Sequence, residues 1–151
     1  MPVSPRYVLD SSVIAKWFVQ EADSEKAVEI RDLFTREKIQ LSTISLARYE
    51  LGNTLWKHPS KTADNVREDF AALSEMALPT QDLDDPQILT KVFQIARELR
   101  ITYYDASFVA AAEASKATFV TADGPLSRKV KGRGDMVLLR DWKARGSPKR
   151  I

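Results

Sequence analysis

The fold is decided at residues 7–12, where the sequence reads Tyr-Val-Leu-Asp-Ser-Ser. Three residues typical of a buried strand are followed at once by an aspartate and two serines, the residue types that begin helices. A second stretch of this kind lies at residues 118–125, where Thr-Phe-Val-Thr precedes Ala-Asp-Gly-Pro. Each stretch predicts a buried strand that runs directly into a helix, which is the repeating unit of a parallel sheet covered by helices.

The sequence around these two strands alternates between helical and strand patterns. Apolar residues at helical spacing predict helices over residues 13–19, 24–38, 44–57, 63–77, 86–99 and 104–115, and short apolar runs predict further strands at 39–41, 80–83 and 136–139. The alternation predicts a parallel sheet covered on both faces. We expect one domain over residues 1–142, followed by a basic C-terminal tail over residues 143–151.

Length and composition exclude several classes of site. The chain of 151 residues suits one domain, and it contains no cysteine and a single histidine, His58. Disulfides, zinc–thiolate sites and thiol nucleophiles are therefore excluded, and a multi-histidine metal site within one chain is excluded as well. Neither a signal peptide nor an apolar run of membrane-spanning length is evident, so we expect a cytoplasmic protein without a membrane span.

The net charge of +2 hides an asymmetry along the chain. Residues 1–127 carry 14 Lys and Arg against 19 Asp and Glu, whereas residues 128–151 carry nine against two. An acidic body with a basic end suggests a cation site, a polyanionic partner, or both. No aromatic residues are interleaved with the basic cluster, so the sequence gives no sign there of a base-stacking platform.

Two aspartates stand where predicted strands end. Asp10 follows the first strand, and Asp123 follows the strand at residues 118–121. Ligands of open parallel sheets bind beyond the carboxyl ends of the strands, near the point where the strand order reverses. Both aspartates also precede predicted helices, where aspartate is a favoured N-cap. Capping alone explains either position, so the functional interpretation depends on further residues.

Asp105 lies in the first turn of a predicted helix. At the i+3, i+4 and i+7 positions stand Phe108, Val109 and Ala112, so the carboxylate shares a largely apolar face. Burying a carboxylate without a partner is costly and favours its protonation. The alternative is an ordinary first-turn acid that is stabilised by the helix dipole.

Glu50 lies inside the predicted helix over residues 44–57. Taken alone, it reads as a solvated helix charge. Gly52 interrupts the same helix, at a cost of about 1 kcal/mol relative to alanine. A glycine within a helix often marks the close approach of another backbone or of a ligand.

Only the fold can bring these four distant acids together, because 40, 55 and 18 residues separate them in turn. We call Asp10, Glu50, Asp105 and Asp123 the acidic quartet. If they converge, their mutual repulsion requires a cation. Oxygen ligands without Cys or His favour Mg²⁺ or Mn²⁺ over zinc or copper.

The sequence resembles the PIN-domain ribonucleases, and among them most closely the VapC-type toxins of toxin–antitoxin pairs. Four ordered segments carry the resemblance, which covers roughly residues 6–142. They are residues 7–18 (YVLDSSVIAKWF), 49–55 (YELGNTL), 103–107 (YYDAS) and 119–123 (FVTAD). Each segment alone is weakly specific, and the ordered set in its structural context is specific.

The resemblance implies a three-layer α/β/α sandwich, PIN-like, with a central parallel sheet and an acidic pocket at its carboxyl edge. It implies that the acidic quartet binds Mg²⁺ or Mn²⁺ and is catalytic, and that Ser12 helps to orient ligands or water. Asn53 and Thr121 match polar positions beside the pocket. The implied activity is metal-dependent endonucleolytic hydrolysis of RNA phosphodiesters. The implied partners are the RNA substrate, a second copy of the chain in a homodimer, and a small VapB-like antitoxin.

Other interpretations remain open at this point. Arg128 and Lys129 follow the Asp123 loop and are candidates for contact with RNA phosphates, or they are the solvated basic end of a helix. A haloacid-dehalogenase-type phosphatase requires an acid where this chain has Ser12, and a receiver domain requires an acidic pair after the first strand. A non-toxin PIN nuclease of RNA processing and a PIN-like RNA- or partner-binding module without turnover are the remaining alternatives.

Overall fold

A five-stranded parallel sheet forms the centre of the molecule. The computed structural model describes residues 3–145. The strands are β1 (Arg6–Leu9), β2 (Gln40–Ile44), β3 (Thr80–Gln81), β4 (Thr118–Thr121) and β5 (Met136–Leu138). Their order in the sheet is β3-β2-β1-β4-β5, and every neighbouring pair is parallel.

Within residues 3–145, seven helices connect the strands and cover the sheet. They are α1 (Ser11–Ala15), α2 (Ser24–Thr35), α3 (Leu46–Lys57), α4 (Ala63–Glu75), α5 (Pro86–Leu99), α6 (Tyr103–Ser115) and α7 (Gly124–Val130), and a 3₁₀ helix follows at Leu139–Asp141. The strand order moves outward from β1 to β3 and then reverses to β4 and β5. Because parallel crossovers are right-handed, this reversal places α1–α4 on one face of the sheet and α5–α7 on the other. The predicted single-domain α/β/α sandwich is confirmed.

Element boundaries differ from the predicted ones mainly around the first helix and the second strand. The helix predicted over residues 13–19 occupies Ser11–Ala15, because Asp10 accepts a hydrogen bond from the Ser12 amide and so caps it earlier. The strand predicted at residues 39–41 runs to Ile44, which the helical pattern had included in α3. Pairing of Ile44 with Gln81 of β3 explains the longer strand, and a local pattern does not reveal that distant partner.

The core lies between the sheet and the helices on both faces. Val8 and Leu9 of β1 and Phe119 and Val120 of β4 are fully buried. On one side they are covered by the buried run 106–112 of α6, in which alanine recurs. Small side chains let this helix pack closely against β1, β2 and β4.

The end of the predicted domain packs onto its beginning. Trp142 is buried, and its ring meets the ring of Tyr7 edge-on with centroids 6.2 Å apart. Of the predicted tail over residues 143–151, residues 146–151 lie outside the described residues. Within residues 3–145, no helix combines the length and the apolar character needed to cross a membrane.

Candidate active site

Asp10 lies at the point where the order of the strands reverses. It follows β1, and its backbone amide donates to the Val120 carbonyl of the adjacent β4 at 3.2 Å. Its Oδ1 accepts from the amide of Ser12 at 3.0 Å and also from the Ser12 hydroxyl. Its Oδ2 accepts from the hydroxyl of Thr121 at 2.5 Å. The carboxylate is therefore fixed from both sides at the position where open parallel sheets bind ligands.

Burial gives Asp10 an unusual protonation equilibrium. The side chain is 6% exposed. Loss of solvation raises the pKa of Asp10 from 3.8 to about 6, although the hydrogen bonds from Ser12 and Thr121 act in the opposite direction. The charged form of this carboxylate is accordingly less stable than that of an exposed aspartate, and a nearby cation would stabilise it.

Thr121 connects Asp10 to the second strand-end acid. Its buried hydroxyl donates to Asp10 and accepts from the backbone amide of Asp123 at 3.1 Å. Asp123 is exposed and caps α7, since its Oδ1 accepts from the Leu126 amide at 3.0 Å. The Ser12 hydroxyl accepts from the Ala122 amide at 2.9 Å. The ends of β1 and β4 are thus joined through two hydroxyl groups.

Glu50 reaches the same edge of the sheet from α3. Its Oε1 accepts from the hydroxyl of Ser11, the residue after Asp10, at 3.2 Å. Partial burial raises the pKa of Glu50, the hydrogen bond from Ser11 opposes that rise, and the charge of Asp105 adds to it. Glu50 is therefore not the freely solvated helix charge that its sequence position alone suggests.

Asp105 comes from the opposite face of the sheet, in the first turn of α6. The Thr102 hydroxyl caps this helix by accepting from the Asp105 amide at 3.0 Å. The pKa of Asp105 is raised, and partial burial is the largest cause. The hydrogen bond with Thr102 opposes the rise in pKa, the charge of Asp123 adds to it, and the charge of Lys129 opposes it. The predicted apolar face is also observed, because residues 108, 109 and 112 of α6 are buried.

The fold therefore brings the acidic quartet to one edge of the sheet. Glu50 and Asp105 interact electrostatically, as do Asp105 and Asp123, and Thr121 links Asp123 to Asp10. Among residues 3–145, no lysine or arginine forms an ion pair with any of the four. Their repulsion is left without a paired positive side chain.

The donor chemistry of this edge fits a hard divalent cation. Every candidate donor is oxygen, and Mg²⁺ in particular binds through one or two carboxylates while it keeps several waters. Within residues 3–145, no three acidic or histidine side chains are grouped closely enough to hold a metal ion among themselves. The arrangement accordingly suits a largely hydrated ion and does not form a closed protein cage.

The remaining predicted positions lie on α3 and α7. Asn53 is exposed one helical turn beyond Glu50, and both line the same cleft. Lys129 donates to the Arg100 carbonyl at 3.2 Å, and Arg128 is exposed on the same helix.

Gly52 faces the neighbouring helix α4. A Cβ on this glycine would lie 3.8 Å from the Phe70 ring of α4. This neighbour is a side chain at ordinary van der Waals distance, so the close approach of another backbone that the sequence position suggested is not observed.

Two supporting hydroxyl groups were missed at the level of sequence. The Ser11 hydroxyl donates to the Glu50 carboxylate, and Ser11 lies between Asp10 and Ser12, both of which were identified from the sequence. Thr102 caps the helix of Asp105, and the Thr-x-x-Asp spacing of residues 102–105 is the signal that could have revealed it.

Comparison with known proteins identifies the fold family. The family described as "PIN domain" matches residues 7–131. The chain belongs to the PIN-domain family. Two curated relatives of this PIN domain come from Pyrobaculum aerophilum. Ribonuclease VapC3 is 33% identical over 82% of the chain and 94% of the relative, and Exonuclease VapC9 is 34% identical over 92% and 95%.

A solved structure supports the same fold at lower identity. A toxin–antitoxin complex from Klebsiella pneumoniae aligns with a TM-score of 0.63, covering 88% of this PIN domain and 97% of the other chain at 12% identity. The family match and the two VapC relatives confirm the resemblance to PIN-domain proteins of the VapC type.

Proposed function

We propose that this PIN domain is a Mg²⁺- or Mn²⁺-dependent endoribonuclease and the toxin of a VapBC-type toxin–antitoxin pair in the cytoplasm. The observation that carries the proposal is the convergence of the acidic quartet at the strand-order reversal, where no lysine or arginine among residues 3–145 forms an ion pair with it. Two curated relatives that bear nuclease names support the choice of phosphodiester chemistry.

In this proposal one or two carboxylates of the quartet contact a largely hydrated metal ion, and hydroxyl groups orient the carboxylates of Asp10 and Glu50. Hydrolysis adds water across one P–O bond of the RNA backbone, so it needs an activated water and stabilisation of charge on the phosphate. When bound, Mg²⁺ or Mn²⁺ lowers the pKa of water and offsets that charge. Ser12 and Thr121 fix both oxygens of Asp10, and Ser11 orients Glu50. Side-chain nucleophiles are not required.

The cleavage test compares matched acidic variants. Linear and circular single-stranded RNA are incubated with Mg²⁺, with Mn²⁺ or with a chelator. We expect Asp10→Asn and Glu50→Gln to lose activity at least 100-fold, an estimate for losing a group that acts in the transition state. The exposed Glu25→Gln on α2 serves as the control. Equal cleavage by Asp10→Asn and the wild type would exclude this site.

Circular RNA decides the mode of cleavage. The names of the two relatives differ on this point, since one is called a ribonuclease and the other an exonuclease. An endonuclease linearises a circle, whereas an exonuclease leaves it intact because a circle has no end. We expect linearisation that depends on the divalent ion. RNA binding without cleavage of either substrate would favour the module without turnover.

The proposed partners are a small antitoxin and a second copy of the chain. A toxin–antitoxin complex among the structural neighbours supports the antitoxin, although at its identity it shows the fold alone. Light scattering of the purified chain tests the homodimer. Inhibition of cleavage by the product of an adjacent short reading frame distinguishes a toxin from a non-toxin PIN nuclease of RNA processing.

A further inference from the structure

An open cleft of about 400 Å³ adjoins Glu50 and contains two exposed aromatic rings. Tyr49 of α3 is 78% exposed and Tyr104 of α6 is 61% exposed. Asn53 and Thr54, both exposed, also line the cleft. The cleft therefore combines flat apolar faces with amide and hydroxyl groups.

The position of both rings relative to the acidic quartet is set by the chain itself. Tyr49 immediately precedes Glu50, and Tyr104 immediately precedes Asp105. The two acids are close enough for the charge of Asp105 to raise the pKa of Glu50. Because the helices come from opposite faces of the sheet, the rings approach the site from both sides.

A positive side chain that acts on Asp105 lies on another element. Lys129 belongs to α7, and its charge lowers the pKa of Asp105. The cleft between α3 and α6 contains aromatic and neutral polar groups besides Glu50, and none of its lining residues is basic. The surroundings of the quartet thus separate into a part that suits phosphates and a part that suits bases.

We infer that Tyr49 and Tyr104 stack against bases of single-stranded RNA next to the scissile phosphate, an inference that rests on the proposed ribonuclease function. Base–aromatic stacking tolerates any base, and each stacked ring contributes enough for its loss to be measured. Asn53 and Thr54 can form hydrogen bonds with base edges. A double helix keeps its bases stacked on each other, so the cleft selects unpaired segments.

This cleft could not be predicted from the sequence, because the residues that line it come from separate helices. The basic cluster that follows Asp123 has no interleaved aromatic residues. Tyr49 and Tyr104 are 55 positions apart and meet only when α3 and α6 reach the same edge of the sheet. The residues next to each tyrosine in the sequence do not distinguish it from an ordinary tyrosine on the surface of a helix.

The test measures binding separately from cleavage. In an Asp10→Asn background with a chelator, affinity is measured for a single-stranded RNA and for the same strand with abasic sugars at its centre. We expect Tyr49→Ala and Tyr104→Ala each to weaken binding of the intact RNA by roughly 5- to 150-fold. The abasic strand should bind both variants and the background protein alike.

Two further variants distinguish the effect of losing the aromatic ring from the effect of disturbing the fold. Tyr49→Phe and Tyr104→Phe keep the aromatic face and should restore most of the affinity. Tyr103→Ala changes the adjacent tyrosine of α6, which does not line the cleft, and serves as the control. Since both cleft rings are exposed, the melting temperatures of the alanine variants should stay within about 2 °C of the background protein.

The outcomes distinguish this inference from the proposed function. Unchanged affinity of the alanine variants for intact RNA would overturn the inference even if the wild type cleaves RNA. Loss of self-association or of antitoxin binding, with unchanged RNA affinity, would assign the cleft to a protein partner and overturn it as well. If the chain binds RNA through both rings in a base-dependent way but cleaves no RNA, the inference about the two tyrosines stands and the proposed nuclease activity is contradicted.

Discussion

At the scale of single residues, Asp10 carries a stability cost that its site requires. Its pKa is raised to about 6 by burial. For a carboxyl group this direction means that the charged form is disfavoured in the folded state. Stability is therefore lowered at pH values above 6 and recovers as the pH falls through 6 toward the unfolded value of 3.8.

Asp10→Asn should accordingly stabilise the chain while it removes activity. The raised pKa corresponds to about 3 kcal/mol at pH 7, which is the upper estimate for the gain in free energy of unfolding. Asparagine can still accept from the Ser12 amide, and its Nδ2 can donate to the Thr121 hydroxyl. Urea unfolding in a chelator at pH 7 and at pH 4 measures the effect, and the gain should shrink at the lower pH. A gain of the same size at both pH values would contradict the electrostatic explanation.

At the scale of elements, Gly52 tests whether α3 needs a glycine. Its added Cβ would meet only Phe70 at an ordinary van der Waals distance of 3.8 Å. Alanine is favoured over glycine inside a helix by roughly 1 kcal/mol. We therefore expect Gly52→Ala to raise the melting temperature by about 2–4 °C and to leave cleavage unchanged. A fall in activity with unchanged stability would indicate that a ligand approaches this position.

The elements also show what a sequence can and cannot predict. Asp10 and Asp123 were identified because a buried strand that ends in a capping residue is a local pattern, and the structure keeps both at strand ends. The end of β2 was predicted wrongly because it depends on pairing with β3, a partner almost 40 residues away. The partner of Gly52 and the meeting of α3 with α6 depend in the same way on packing between distant segments. Local patterns therefore pointed to Asp10, Asp105 and Asp123, whereas the assignment of Glu50 depended on the resemblance to PIN-domain ribonucleases. Only the fold shows the hydrogen bonds of these acids and their electrostatic coupling.

At the scale of the whole molecule, the fold determines where the acidic and basic parts of the chain lie relative to each other. Among the basic residues of the C-terminal part, Arg133 is already paired with Glu98 and Glu113, at 2.5 and 2.8 Å. Arg128 and Lys129 form no ion pair among the described residues, and they lie on the helix that Asp123 caps. The acidic body and the basic end thus meet at the same edge of the sheet.

The double variant Arg128→Ala/Lys129→Ala should weaken RNA binding in a salt-dependent way. If each side chain neutralises one phosphate, the slope of log affinity against log salt should fall by about 1.4 for single-stranded RNA. The matched control is Arg36→Ala/Lys38→Ala, which removes the same charge before β2, at the opposite end of the strands. A general effect of net charge would change both variants alike, whereas phosphate contact changes only the first. Equal slopes for the wild type and the Arg128/Lys129 variant would mean that these residues are the solvated end of a helix, with the phosphates held elsewhere.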